Sequence, residues 1–142
     1  PGIVGLGKAS TIAITEMAAN AQRIQKLRND LEEGLLQIAG SHINGCISNR
    51  IYSTSNIRFD GIDADAVISS LKDIIISNGS ACSSHSIEPS HVLINMGLIE
   101  SEAISSLRFS LGKYNSKKDI LATVKTFHQL IDKLRNVAQS IS

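Results

Sequence analysis

The chain has 142 residues, 42% of them hydrophobic and 4% aromatic, with no tryptophan and a formal net charge of +1. That is enough apolar material for one domain with a true core. Acids and bases are interspersed, so no basic patch argues for direct nucleic-acid binding, and no run approaches the roughly 20 apolar residues that cross a bilayer. Two cysteines far apart, Cys46 and Cys82, make no disulfide framework and read as thiols of a reducing compartment, the cytoplasm.

Residues 8–39 read as a helix: Ile24, Leu27, Leu31, Leu35 and Ile38 form an apolar stripe, and Asp30, Glu32 and Glu33 lie off it. Ala13, Met17, Ala18 and Ala21 extend the pattern upstream, a length that suggests a bend or a bridge between two bodies. Gly40 is the expected cap. Residues 43–47 are one candidate strand and 51–59 a better one, with Ile51, Ser53, Ser55, Ile57 and Phe59 on one side of the pleat. Asp60-Gly61 turns the chain, and Asp63 caps a short helix over 64–72 with Val67, Ile68 and Leu71 inward.

A short apolar strand, 74–77, then leads into a Gly/Ser/Asn/His loop, 78–88, that carries Cys82. Pro89 suits the first turn of a helix ending near Gly97. Leu107, Phe109 and Leu111 alternate with Arg108 and Ser110, a half-buried strand that sets Arg108 on the face away from the core. Ser116 and Asp119 form an acidic capping box, and a core-packing helix follows over 117–140. The element order predicts an α+β fold, a small antiparallel or mixed sheet with helices layered on one face.

Locally, Cys82 is either a nucleophile on a loop or a small core residue, and Cys46 reads as structural. A thiol reacts as thiolate, which needs exposure and electropositive help. Arg108 is either a surface charge or, if another body covers its face, a guanidinium that wants a carboxylate or phosphate. A zinc site from Cys82, His85 and His91 lacks a fourth ligand. His128 falls on the polar side of the last helix.

The ordered series Asn78-Gly79-Ser80-Ala81-Cys82-Ser83-Ser84, Glu88-Pro89-Ser90-His91-Val92-Leu93, Met96-Gly97-Leu98 and Ser105-Ser106-Leu107-Arg108-Phe109-Ser110-Leu111-Gly112 resembles the C-terminal region of cysteine desulfurases of the NifS/IscS-like branch. Pro1-Gly2-Ile3-Val4-Gly5-Leu6-Gly7-Lys8-Ala9, which does not begin with Met, resembles that family's entry into its long interdomain helix. The likeness covers essentially this whole chain but only about the last third of a family member.

It implies a type I fold of pyridoxal phosphate enzymes, with residues 1–40 as the interdomain helix region, 41–142 as the C-terminal small domain and the cofactor-binding large domain absent. It implies Cys82 as the catalytic nucleophile and Arg108 as the grip on the carboxylate of L-cysteine. Sulfur would pass to Cys82 as a persulfide, leaving L-alanine, and then to an acceptor for Fe–S cluster assembly, tRNA thiolation or DNA phosphorothioation. The full-length protein would be a cytoplasmic homodimer holding pyridoxal phosphate. No resident metal is expected, and Cys82 would meet an Fe–S centre only transiently, on a scaffold protein.

The family's Schiff-base lysine stands in a Ser-x-His-Lys type context that no lysine of this chain shares. By that reading this chain alone binds no cofactor and is inactive. The competing expectations are a binding module that docks an acceptor or self-associates without catalysis, and a selenocysteine lyase.

Overall fold

A computed structural model describes residues 1–78 and 89–141. The chain runs α1 (Gly2–Leu35), β1 (Ser41–Ile43), β2 (Thr54–Phe59), α2 (Ala64–Ser70), α3 (His91–Asn95), α4 (Glu100–Ile104), β3 (Ser106–Ser110) and α5 (Lys117–Ile141). The strands form an antiparallel sheet in the order β1-β2-β3. The fold is α+β, as expected.

Alternation decides the two faces of the sheet. Ile57, Phe59, Leu107 and Phe109 point to one side, where they meet Leu27, Leu31 and Leu35 of α1 and Ile120, Phe127 and Ile131 of α5. Phe127 sits at the centre, with ring centroids 5.7 Å from Phe59 and 5.1 Å from Phe109. The two long helices approach closely at Gly34: a Cβ there would lie 2.6 Å from Val124 Cγ2. His128 Nε2, half-buried rather than on a solvated helix face, sits 3.1 Å from the Gly34 carbonyl oxygen.

The opposite face is polar. α4 lies against its far end, where Glu102 Oε1 pairs with Arg58 Nη1 at 2.6 Å and Ser106 Oγ donates to the Glu102 carbonyl at 2.6 Å. Asp63 caps α2 by accepting from the Asp65 amide, and Asp119 accepts from the Ser116 amide at 2.8 Å. Both caps follow the sequence reading.

Several boundaries and burials differ from the sequence reading. α1 is one uninterrupted helix that starts at Gly2, and its first half projects from the body with Ile3, Val4, Leu6, Ile14 and Met17 exposed. It stops at Leu35, short of Gly40, whose φ of +68° instead turns the chain into β1. β1 ends at Ile43, because Gly45 at φ +90° takes the chain out of the ladder. Ile51 is exposed outside β2. Glu32, expected off the buried stripe, is buried, and both its oxygens bind Arg50, at 2.6 and 2.7 Å. Arg28, buried beside them, donates to the Ile51 carbonyl at 3.0 Å. Burial and the nearby Arg50 lower the Arg28 pKa, and Glu32 opposes them. This charged cluster fixes the loop between β1 and β2 onto α1.

Candidate functional site

The polar face presents Thr54, Asn56 and Arg58 from β2 and Ser106, Arg108 and Ser110 from β3. Its two arginines differ sharply. Arg58 is neutralised within the fold, 2.6 Å from Glu102 Oε1 and 3.3 Å from Asp60 Oδ1. Asp60 is also 2.9 Å from His42 Nε2, and that contact, with Arg58 adding to it, holds its carboxyl below the usual range. Arg108 is exposed, and its guanidinium has no hydrogen bond or ion pair among the described residues. A planar fork of donors on a polar sheet face is suited to a carboxylate or phosphate.

The backbone of Arg108 has a second neighbour. Its N–H donates to the Ser77 carbonyl at 2.6 Å, and the Ser77 N–H returns a bond to the Arg108 carbonyl at 3.3 Å. The expected strand 74–77 is thus reduced to one bridge at Ser77, with Ile75 fully exposed. This bridge brings the approach to the Gly/Ser loop alongside Arg108, an adjacency of two distant segments. Cys82 and His85, like most of the predicted 78–88 loop, lie outside the described residues.

Sequence reasoning missed Asn44 and Asn56. Asn44 Nδ2 donates to Asn56 Oδ1 at 2.6 Å and to Ser106 Oγ at 2.9 Å. The alternation through Ile57 and Phe59 already set Asn56 opposite to the core, but nothing local to β2 named its partner.

Cys46, which its neighbours in sequence make a structural residue, is exposed instead. Its loop leaves the sheet at Gly45, and the Ser48 hydroxyl, with the Asn49 and Ser48 amides, lowers its thiol pKa. Among the described residues no group of three or more His, Cys, Asp or Glu is placed to hold a metal, and His91 opens α3. No described helix is long and apolar enough to cross a membrane. Among the described residues, a cavity of about 580 Å³ lies beside residues 70–76 and another of about 580 Å³ lies under α1 at Tyr52 and Leu111, and Arg108 walls neither.

Comparison with known proteins gives the arrangement its context. Cysteine desulfurase IscS of Shewanella sp. (strain ANA-3) is 41% identical over 136 residues, 96% of this chain and 34% of that protein. The Shewanella frigidimarina protein of the same name is 40% identical over the same shares. The chain spans about a third of the length of these curated relatives. Among solved structures, a NifS-like protein from Rickettsia africae superposes with a TM-score of 0.79 at 32% identity, covering 92% of this chain and 34% of that one. DndA from Streptomyces lividans gives a TM-score of 0.55 at 36% identity, covering 76% of this chain and 30% of that one. The profile of the aminotransferase class-V family matches residues 1–122. On that match, over most of its length, the chain belongs to the aminotransferase class-V family.

Proposed function

We propose that this chain is the part of a cysteine desulfurase that grips the carboxylate of L-cysteine through Arg108 and supplies the sulfur-accepting thiol, Cys82. The observation that carries the reading is the Ser77–Arg108 bridge beside a guanidinium that has no hydrogen bond or ion pair among the described residues. Cys82 follows Ser77 by five residues, so its Cα stays within roughly 18 Å of that of Ser77. The named relatives, cysteine desulfurases and NifS-like proteins, support the same reaction class.

Pyridoxal phosphate in the parent protein would supply an electron sink for the substrate. The residues here do not fit the task of holding it. The polar face around Arg108 carries Thr54, Asn56, Arg58, Ser106 and Ser110 and no lysine, so the amine that anchors the cofactor belongs elsewhere in the parent. This chain's part is narrower. Arg108 binds both carboxylate oxygens and fixes the substrate's orientation. The Cys82 thiolate forms a new bond to the substrate sulfur as the substrate's carbon–sulfur bond breaks. The carbon takes up a proton and leaves as alanine, and the outer sulfur of the persulfide is then open to an acceptor thiolate.

On this proposal residues 1–40 link the cofactor domain to a small domain formed by 41–142. The parent acts as a cytoplasmic homodimer that delivers sulfur to an acceptor protein such as an Fe–S scaffold. The test uses the full-length protein carrying Cys82→Ser or Arg108→Ala. Cys82→Ser retains the cofactor's absorbance and yields no persulfide at that position by mass spectrometry. Arg108→Ala raises KM for L-cysteine roughly tenfold or more, the loss of hydrogen bonds to a charged group. Sulfur transfer at the parental rate by Cys82→Ser, or an unchanged KM in Arg108→Ala, overturns the corresponding assignment.

A further inference from the structure

We infer that Asn56 is a second ligand of the substrate carboxylate, donating from its side-chain amide beside the Arg108 guanidinium. The inference rests on the reading of Arg108 as the carboxylate grip and extends it to a residue on the neighbouring strand.

Register supplies the first argument. Asn56 stands opposite Arg108 in the β2–β3 ladder. The Phe59 N–H donates to the Ser105 carbonyl and the Leu111 N–H to the Ser53 carbonyl, so the odd-numbered residues of β2 form the hydrogen-bonded pairs. Asn56 and Arg108 therefore form a non-hydrogen-bonded pair, the kind whose Cα atoms lie about 4.5 Å apart with side chains closest. Arg108 accordingly turns its backbone bonds to Ser77, and Asn56 accepts from the Asn44 N–H at 2.9 Å.

The orientation of the amide supplies the second. Ser106 Oγ gives its single proton to the Glu102 backbone carbonyl. Toward Asn44 it can only accept, so Asn44 must present Nδ2 there. The same Nδ2 donates to Asn56, which must present Oδ1. The chain of bonds begins at a fixed carbonyl and leaves no freedom at its end: the acceptor of Asn56 is occupied, and its Nδ2 has no partner among the described residues. A neutral N–H donor is thus held ready beside a cation on one face, and a carboxylate, which only accepts, complements both.

The test compares, in full-length cofactor-loaded enzyme, L-cysteine with its methyl ester, which keeps the thiol and amine but lacks the anionic carboxylate. Asn56→Ala raises KM for L-cysteine roughly tenfold, little changes kcat, and reduces the preference for acid over ester by the same factor. Asn44→Ala breaks the same Asn44–Asn56 bond, which loosens the Asn56 amide but spares its donor, so it moves that preference clearly less than Asn56→Ala does. Should Asn56→Ala fold poorly, Asn56→Asp keeps an acceptor for Asn44, replaces the donor by a negative charge and loses the preference at least as strongly. Equal shifts in the Asn56→Ala and Asn44→Ala enzymes, or no shift in any Asn56 variant, overturn the assignment. Arg108→Ala, run in parallel, separates the two readings. If it abolishes the acid preference while the Asn56 variants keep it, only Asn56 is wrongly assigned. If it keeps the preference, the carboxylate grip itself is wrong.

Discussion

Replacing Glu32 by glutamine preserves the shape of the side chain and removes its charge, leaving Arg28 and Arg50 facing each other without their shared counterion. Glu32 and Arg28 side chains are 7% and 4% exposed and Arg50 15%, so little water is available to take over. Both Glu32 oxygens bind Arg50, at 2.6 and 2.7 Å, and Arg28 Nε lies 3.9 Å from Oε1. Removing one partner of a buried pair costs about 3–5 kcal/mol, mainly as the uncompensated charge left behind. Glutamine keeps one acceptor for Arg50, which puts the expected loss near the lower end, about 3 kcal/mol. With a urea m-value of roughly 2 kcal/mol/M, the unfolding midpoint of this chain falls by roughly 1.5 M. The double variant Glu32→Leu/Arg50→Leu removes both charges and is less destabilised than Glu32→Gln alone. Salt screens such a buried pair weakly, so the loss persists at high ionic strength. A midpoint shift below about 0.3 M at unchanged m, on the order of 0.6 kcal/mol, would refute the reasoning.

Two further predictions concern the α5 side of the body. Gly34→Ala places a methyl group 2.6 Å from Val124 Cγ2 and 2.8 Å from Cγ1. Valine is stiff, so overpacking of about 1–3 kcal/mol outweighs the gain in helix propensity of up to about 1 kcal/mol, and Val124→Ala restores the thermal midpoint. The Asp119 carboxyl is held below its ordinary pKa, first by the Ser116 amide and then by the Ser116 hydroxyl. A depressed carboxylate stabilises the fold above its unfolded pKa, and that contribution is lost as pH falls through the lower folded value. NMR titration therefore finds the Asp119 midpoint below that of an unstructured aspartate, and Ser116→Ala moves it upward. A midpoint at the ordinary value would rule out the cap as its cause.

Much of this architecture is legible locally. Alternation of apolar residues found the buried faces of β2 and β3, and with them the outward aim of Arg108. Side chains that satisfy the first amides of a helix revealed the caps at Asp63 and Ser116–Asp119. Distant pairings were not legible. The partner of Glu32 lies 18 residues on, and a charge read by helical period alone looks like a solvated one. The bridge between Ser77 and Arg108 joins segments whose own patterns say nothing of each other. Residues 74–77 read as a strand because Ile74, Ile75 and Ile76 are β-branched, yet of the four Ser77 makes the bridge, to Arg108. Cys46 looked internal because it stands between Gly45 and Ile47, and it was the backbone turn at Gly45 that put it outside. The resemblance named Cys82 and Arg108, whereas Asn56 emerged only from the strand register.

The Ser77 bridge also makes one amide into a local gauge. Arg108 stands in a non-bonded position of the β2–β3 ladder, so no carbonyl of β2 receives its N–H, whose acceptor among the described residues is the Ser77 carbonyl. Leu107 and Phe109, in the alternate positions, direct their amides at β2 and report the integrity of the sheet. The rate at which the Arg108 proton exchanges with solvent, taken relative to those two neighbours, therefore measures how often the segment carrying Ser77 lifts away while the sheet stays closed. On the proposed function, one residue gives two readings: its guanidinium would sense the carboxylate, and its amide the tether of the segment that leads to Cys82.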